Sequence, residues 1–126
     1  RMKKSTKPGK TLVDIYEEEK MIDDLFNIVH KMSVSYIYGY EHILLPKYNK
    51  ELIKIYKKNI LTTISRCSSR NEYRDLAYQI DHIINMKDSN ESIEEIFSNI
   101  KDSYLKRRPA MLDEFRQVIK NINKYL

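Results

Sequence analysis

The chain has 126 residues, of which 41% are hydrophobic and 33% charged, with a formal net charge of +5. This length fits one domain with one core, and the charge content leaves no apolar run of the roughly 18 residues that a membrane span needs. A single cysteine excludes a disulfide framework within the chain and is typical of a reducing, cytoplasmic compartment. The low content of glycine and proline favours long helices over short strands.

The first ten residues carry five cations and no acid. We expect residues 1–10 to form a flexible basic tail ahead of one helical domain that covers residues 11–126. The first methionine stands at the second position, so we also expect the chain to be a fragment of a larger protein.

The first helix is predicted to start at Thr11, because Asp14 three residues later resembles the partner in a capping box. Apolar residues then recur every three or four positions from Leu12 to Tyr36, which predicts one buried stripe. Gly39 is the natural end of this helix.

Four further start signals are found downstream. They are Pro46, Ser69 with Glu72, Ser92 with Glu95, and Pro109. Each precedes a segment with helical apolar spacing, and no segment alternates polar and apolar residues as a strand does. The sequence therefore predicts an all-α domain of about five helices in stacked antiparallel hairpins, either a helical-repeat-like array or a compact bundle.

The residue pattern gives little support for a catalytic site or a metal-binding site. The histidines are His30, His42 and His82, and none has the spacing of a metal-binding pair. Cys67 lies next to Arg66, but a lone cysteine on a helix is most often a small buried hydrophobe. The two glycines are too far apart for a phosphate-binding loop. We therefore expect no enzyme activity, no catalytic or metal-binding residues and no cofactor.

The charge pattern is more informative. Residues 11–38 contain six acids and two lysines, a net charge of −4, so the rest of the chain carries +9. The second helix places five lysines within about 100° of arc, opposite its apolar stripe. They are Lys47, Lys50, Lys54, Lys57 and Lys58. A second cluster precedes the last helix and consists of Lys106, Arg107 and Arg108.

Two segments carry a resemblance to a known family. They read Arg70-x-x-Tyr73-Arg74-x-Leu76-Ala77 and Tyr104-x-x-Arg107-Arg108-Pro109-Ala110-Met111-Leu112-Asp113-Glu114. Residues 70–115 thereby resemble the helical repeats near the C-terminus of some bacterial SWIM zinc-finger proteins. The zinc motif of that family, Cys-x-Cys followed by Cys-x-His, is absent. The resemblance implies a helical accessory region that acts as a scaffold in a larger protein.

These observations favour a non-catalytic interaction or scaffolding domain that contacts another protein or other domains of its parent chain. In this interpretation Tyr73, Leu76 and Tyr104 pack the hairpin, while Arg107 and Arg108 make charge contacts at its exposed edge. A homodimer would also fit, since outer helices with apolar surface need a partner.

The alternative is a helical domain that binds nucleic acid without sequence specificity. The lysines of the second helix and the basic cluster at residues 106–108 would neutralise phosphates, which makes binding sensitive to salt.

Overall fold

The computed structural model describes the backbone of residues 12–104 and 107–126, and within these ranges the side chains from Glu17 onward. Six α-helices follow one another: α1 (Leu12–Val29), α2 (Val34–Tyr38), α3 (Glu41–Ile64), α4 (Arg70–Ile84), α5 (Asn90–Ser103) and α6 (Pro109–Val118). A 3₁₀ turn, Ile122–Lys124, comes after α6. The described ranges contain no strand, so the predicted all-α class is confirmed. None of their helices combines the length and apolar character required to cross a membrane.

The chain divides into two compact units, one ending at Pro46 and the other covering Lys47–Leu126. The boundary falls within α3. The expected basic tail at residues 1–10 and the predicted start at Thr11 lie outside the described residues. The expectation of a single domain over 11–126 stays a prediction.

The predicted first helix is wrong in its extent, because the helical backbone breaks after Val29 and resumes at Val34. Ser33 precedes the new helix with extended backbone angles, φ −64° and ψ 154°, and serine favours such a position over a helix interior. Gly39 does end α2, but its φ of −65° is one that any residue adopts.

The prediction that a helix begins at Pro46 is also wrong, since α3 begins five residues earlier, at Glu41. Proline inside a helix has no N–H for the carbonyl one turn before it, and its ring crowds that carbonyl. Two residues later Tyr48 departs from helical geometry, with φ −115° and ψ 26°, so two helical segments meet at a kink.

The start of α4 agrees with its prediction. The Ser69 hydroxyl accepts a hydrogen bond from the Glu72 backbone N–H at 3.2 Å, and the Glu72 carboxylate accepts one from the Ser69 N–H at 3.1 Å. Together they satisfy two N–H groups that would otherwise lack partners at the helix end. Hydrogen bonds donated to the Glu72 carboxylate lower its pKa, the Ser68 backbone N–H contributing most and the Ser69 backbone N–H next.

Removal of this cap is expected to destabilise the second unit. Ser69→Ala should lower the free energy of unfolding by about 1 kcal/mol, because the Glu72 N–H loses its acceptor. Ser98→Ala, an exposed position within α5, is the matched control and should leave stability nearly unchanged. Urea unfolding followed by circular dichroism measures both, and equal losses would contradict the role of the cap.

The predicted cap of the next helix is wrong. Ser92 lies within α5, which begins at Asn90 and is preceded by Ser89, a buried residue whose side chain forms no capping bond. Glu95, expected to complete the box, instead forms an ion pair with Lys57 of α3 at 3.0 Å. The Ser-x-x-Glu spacing alone does not predict whether the glutamate binds the backbone at the start of its own helix or a lysine of another helix.

The core of the second unit is built around α4, which contacts α6 extensively and also contacts α5. Its link to α3 includes a hydrogen bond of 3.1 Å from Asn59 to Gln79. The apolar spacing of α4 predicts six buried residues, of which Ile84 is only half-buried. The other five are buried: Tyr73, Leu76, Ala77, Ile80 and Ile83. Pro109 begins α6 as predicted, and its missing N–H costs nothing in a first turn. Met111 and Phe115 are the apolar residues that α6 buries.

Candidate functional site

The lysines of α3 differ in their surroundings. Lys47, Lys50, Lys54 and Lys58 are exposed, whereas Lys57 is half-buried in its ion pair with Glu95. Lys57 therefore joins two helices of the second unit rather than facing a ligand.

Three of the exposed lysines, Lys50, Lys54 and Lys58, repeat every four residues and so share one helix face. They form no hydrogen bond or ion pair with any residue whose side chain the structure describes. Their charges are available to a partner. We call these three residues the lysine face.

The residues of the second basic cluster, at positions 106–108, differ in exposure and in hydrogen bonding. Arg107 is exposed and donates to the Ser103 carbonyl at 3.4 Å, while Lys106 lies outside the described residues. Arg108 donates through Nη1 to the carbonyls of Ile64 and Cys67, at 2.9 and 2.8 Å. Its guanidinium also lies 4.8 Å from the centre of the Tyr104 ring, a cation–π contact.

These contacts change the role expected of Arg108. A side chain that satisfies the last carbonyl of α3 and a carbonyl of the loop after it belongs to the packing of the unit, not to an exposed edge. Tyr73 and Leu76 are buried, as their predicted packing role requires, and Tyr104 is half-buried beside Arg108.

A buried carboxylate between α4 and α6 was not anticipated from the sequence. Glu114 is only 2% exposed, and its two oxygens accept from Arg70 at 2.8 Å and from Arg74 at 3.0 Å. Arg70 also binds the exposed Asp113 at 2.7 Å. The Arg70 hydrogen bond does most to lower the pKa of Glu114, and it acts against burial, which would raise it. Apolar spacing predicts the burial of apolar residues only, so it does not predict that Glu114 is buried.

Each histidine has its own local surroundings. The Nδ1 atom of His30 is 2.9 Å from the Phe26 carbonyl oxygen, His42 is exposed, and His82 meets the edge of the Tyr56 ring. Within the part of the chain that the structure describes, no three histidine, cysteine or acidic side chains are grouped closely enough to hold a metal ion.

Cys67 is buried, and burial raises the pKa of its thiol. Glu72 raises this pKa further, while Arg108 and Arg66 lower it by smaller amounts. The thiol is therefore protonated near neutral pH, which disfavours its use as a nucleophile.

A polar cleft of about 460 Å³ lies between α5 and the C-terminal turn. Phe97 and Tyr125 stack at one side of it, with ring centres 4.6 Å apart. Glu94, Lys101 and Lys124 are its charged residues, and they offer no pairing of a nucleophile with a base.

The first unit carries an apolar groove on its surface, with a volume of about 610 Å³. Its lining residues are Glu18, Met21, Ile22, Asp24, Leu25 and Ile28 of α1, with Ile43 from the start of α3. Met21 is 69% exposed and Ile28 59%, which is unusual for large apolar side chains that line the same groove. We call this feature the α1 groove.

The three- and four-residue spacing of the apolar residues of α1 predicts one buried stripe and therefore does not predict the α1 groove. Between Met21 and Val29 they span about 160° of arc at 100° per residue, wider than the ~100° that one buried face requires. Val29 is buried, whereas Met21 and Ile28 at the other edge remain open. An apolar arc this wide indicates that part of the apolar surface of α1 is left exposed.

No family model, curated protein or solved structure matches the chain.

Proposed function

We propose that the chain is a non-catalytic helical interaction module that docks a protein partner, or another domain of its parent chain, in the α1 groove. The observation that carries this proposal is the exposure of Met21 and Ile28 in the α1 groove. Contiguous apolar surface of this kind is costly in water and typically marks a binding surface. The single cysteine fits a cytoplasmic setting, and the SWIM-like segment fits an accessory role in a larger protein.

The second unit supports this proposal by its construction. Arg70, Arg74 and Arg108 are bound within the fold, so the motif residues are used to assemble the helices. A scaffold needs such hydrogen bonds and ion pairs between its own segments, whereas a catalytic site needs polar groups that face a substrate.

Disruption of the α1 groove should abolish docking. The ligand is a helical peptide of about 15 residues with apolar anchors on one side and glutamine elsewhere, and fluorescence anisotropy with the whole chain measures its binding. We expect a dissociation constant of about 10–100 μM, lost in Met21→Gln/Ile28→Gln. Both positions are largely exposed, so the variant should fold normally.

Tyr78→Gln provides the matched control for this experiment, because Tyr78 is as exposed as Ile28 but lies on α4. This control should bind like the unaltered chain. Equal binding by the groove variant, or no binding by the unaltered chain, would contradict docking at the groove.

A second candidate function is contact with a polyanion such as nucleic acid at the lysine face. The favouring observation is that Lys50, Lys54 and Lys58 share one side of α3 without acidic partners in the described residues. Three such charges would bind a single-stranded oligonucleotide with a slope of about −2 in log affinity against log salt.

Lys50→Ala/Lys54→Ala/Lys58→Ala should remove this binding, as measured by anisotropy at low salt. The matched control replaces three exposed lysines outside the lysine face, Lys87, Lys101 and Lys120, by alanine. If both triple variants lose the same affinity, only net charge matters. If the unaltered chain fails to bind at low salt, the second function is wrong.

A further inference from the structure

The helices α3 and α5 lie side by side and run in the same direction. The Asn49 side chain donates to the Lys87 carbonyl at 2.8 Å, just before α5, and Lys57 pairs with Glu95 at 3.0 Å. The two residues of each contact are 38 positions apart, so both segments advance together along the chain. A residue of α3 therefore lies level with the residue 38 positions later in the sequence.

The two helices carry opposite charges. From Lys47 onward, α3 contains five lysines and one glutamate, a net charge of +4. The helix α5 contains four acids and one lysine, a net charge of −3. The ion pair between Lys57 and Glu95 uses one charge of each sign, so α3 stays positive and α5 negative.

The remaining charges lie on the outer surface of both helices. Lys54 and Lys58 are exposed and lie about 130° and 170° round α3 from the centre of its buried stripe. Glu91 and Glu94 are exposed and lie about 170° and 110° from the centre of the buried stripe of α5. The outer sides of the two parallel helices form one surface. We call it the α3–α5 face, consisting of Lys50, Lys54, Lys58, Glu91 and Glu94.

The charges of the α3–α5 face lie at matching levels but are not paired. Lys54 lies level with position 92, which is about 2 Å from Glu91 along the helix direction. Lys58 lies level with position 96, about 3 Å from Glu94. The five residues form no ion pair or hydrogen bond with any side chain that the structure describes. Two rows of opposite charge thus lie next to each other, both directed to solvent.

We propose that the α3–α5 face is the contact between two copies of this chain, related by a two-fold axis parallel to both helices. Such an axis lays α3 of each copy against α5 of the other at the same level, so the lysine face meets the acids of α5 twice. A two-fold axis across the helices would instead set lysine against lysine. Nucleic acid that covered the whole face would be repelled by Glu91 and Glu94. The face shares no residue with the α1 groove, so this inference is independent of docking there.

Sedimentation velocity of the whole chain at low salt measures the dimer. We expect a dissociation constant of about 100 μM, because contacts between exposed charges are individually weak. At about 1 M salt the Debye length falls to about 3 Å, and the affinity should fall at least about tenfold.

Two charge-reversal variants test the orientation of the contact. Lys54→Glu/Lys58→Glu makes both helices of the face largely acidic, and Glu91→Lys/Glu94→Lys makes both basic. Neither variant should dimerise alone, since like charges then meet across the two-fold axis. An equimolar mixture of the two should form a dimer, because each α3 again faces an α5 of opposite charge. All four positions are exposed, so both variants should fold, as circular dichroism can verify.

Arg116→Glu/Lys120→Glu is the matched control. Both residues are exposed and lie outside the α3–α5 face, and the variant changes the net charge by the same amount as Lys54→Glu/Lys58→Glu. It should dimerise like the unaltered chain. Loss of the dimer in this control would mean that only net charge matters, which overturns the inference.

Three further results would overturn it. The first is a mixture of the charge-reversal variants that stays monomeric. The second is a dimer that both charge-reversal variants retain but Met21→Gln/Ile28→Gln loses, which would place the contact at the α1 groove. The third is an unaltered chain that is monomeric at low salt and binds a single-stranded oligonucleotide, which would assign the lysine face to the second candidate function.

Discussion

Leu76→Ala is expected to lower the free energy of unfolding by about 2–5 kcal/mol, the usual cost of removing a buried leucine side chain. Leu76 has no exposed surface and lies on α4, the helix that contacts α3, α5 and α6. The cavity left behind would be shared by several helices, and collapse of one helix could not fill it. In a unit of this size the corresponding fall in Tm is about 10–30 °C.

Tyr78→Ala is the control for this prediction, because Tyr78 lies two residues away on the same helix and is 59% exposed. Its substitution should change the free energy of unfolding by no more than about 0.5 kcal/mol. Thermal and urea unfolding of both variants measure the difference. Similar losses would mean that the buried face of α4 has been assigned to the wrong side.

Glu114→Gln is expected to destabilise the second unit strongly at neutral pH. The amide keeps the size of the carboxylate but loses its charge, so Arg70 and Arg74 are left with a weaker acceptor in a buried position. Asp113→Asn is the control, since Asp113 is exposed and binds Arg70 alone. Urea unfolding at neutral pH should show a loss several-fold greater for Glu114→Gln.

The effect of Glu114→Gln should also depend on pH in a defined direction. The pKa of Glu114 is lowered in the folded state, so its stabilising contribution is complete above the pKa of an unfolded glutamate, about 4.3. That contribution is lost as the pH falls through the lower, folded-state pKa, where the carboxyl becomes neutral like the amide. Glu72 behaves in the same way and is present in both proteins.

The unaltered chain and Glu114→Gln should therefore approach each other in stability at acidic pH. Urea midpoints at neutral pH and near pH 2 measure this convergence. A difference that stays constant with pH would mean that the substitution acts through packing instead of charge.

The sequence predicts those parts of the fold in which local signals agree. Ser69 and Glu72 start α4, apolar residues then follow one face, and all three features specify the same helix. Pro109 predicts the start of α6 for a similar reason. Fold class and two of the helix starts could thus be derived from local physical chemistry alone.

The remaining features depend on contacts between distant residues. Ser92 and Glu95 have the spacing of a capping box, yet Glu95 forms an ion pair with Lys57 of another helix. Pro46 is tolerated within α3 at the expense of a kink, which local preference does not predict. The exposure of Met21 and Ile28 depends on what packs against α1, so the α1 groove could not be located from the spacing of one helix.

Arg108 has a consequence for the order of folding. The carbonyl of Ile64 at the end of α3 is satisfied by a side chain that follows it by 44 residues in the chain. The end of α3 thus cannot be completed until the segment before α6 is in place, which makes this contact strongly non-local. We expect the second unit to fold in one cooperative step, unlike an open array in which each hairpin forms on its neighbour.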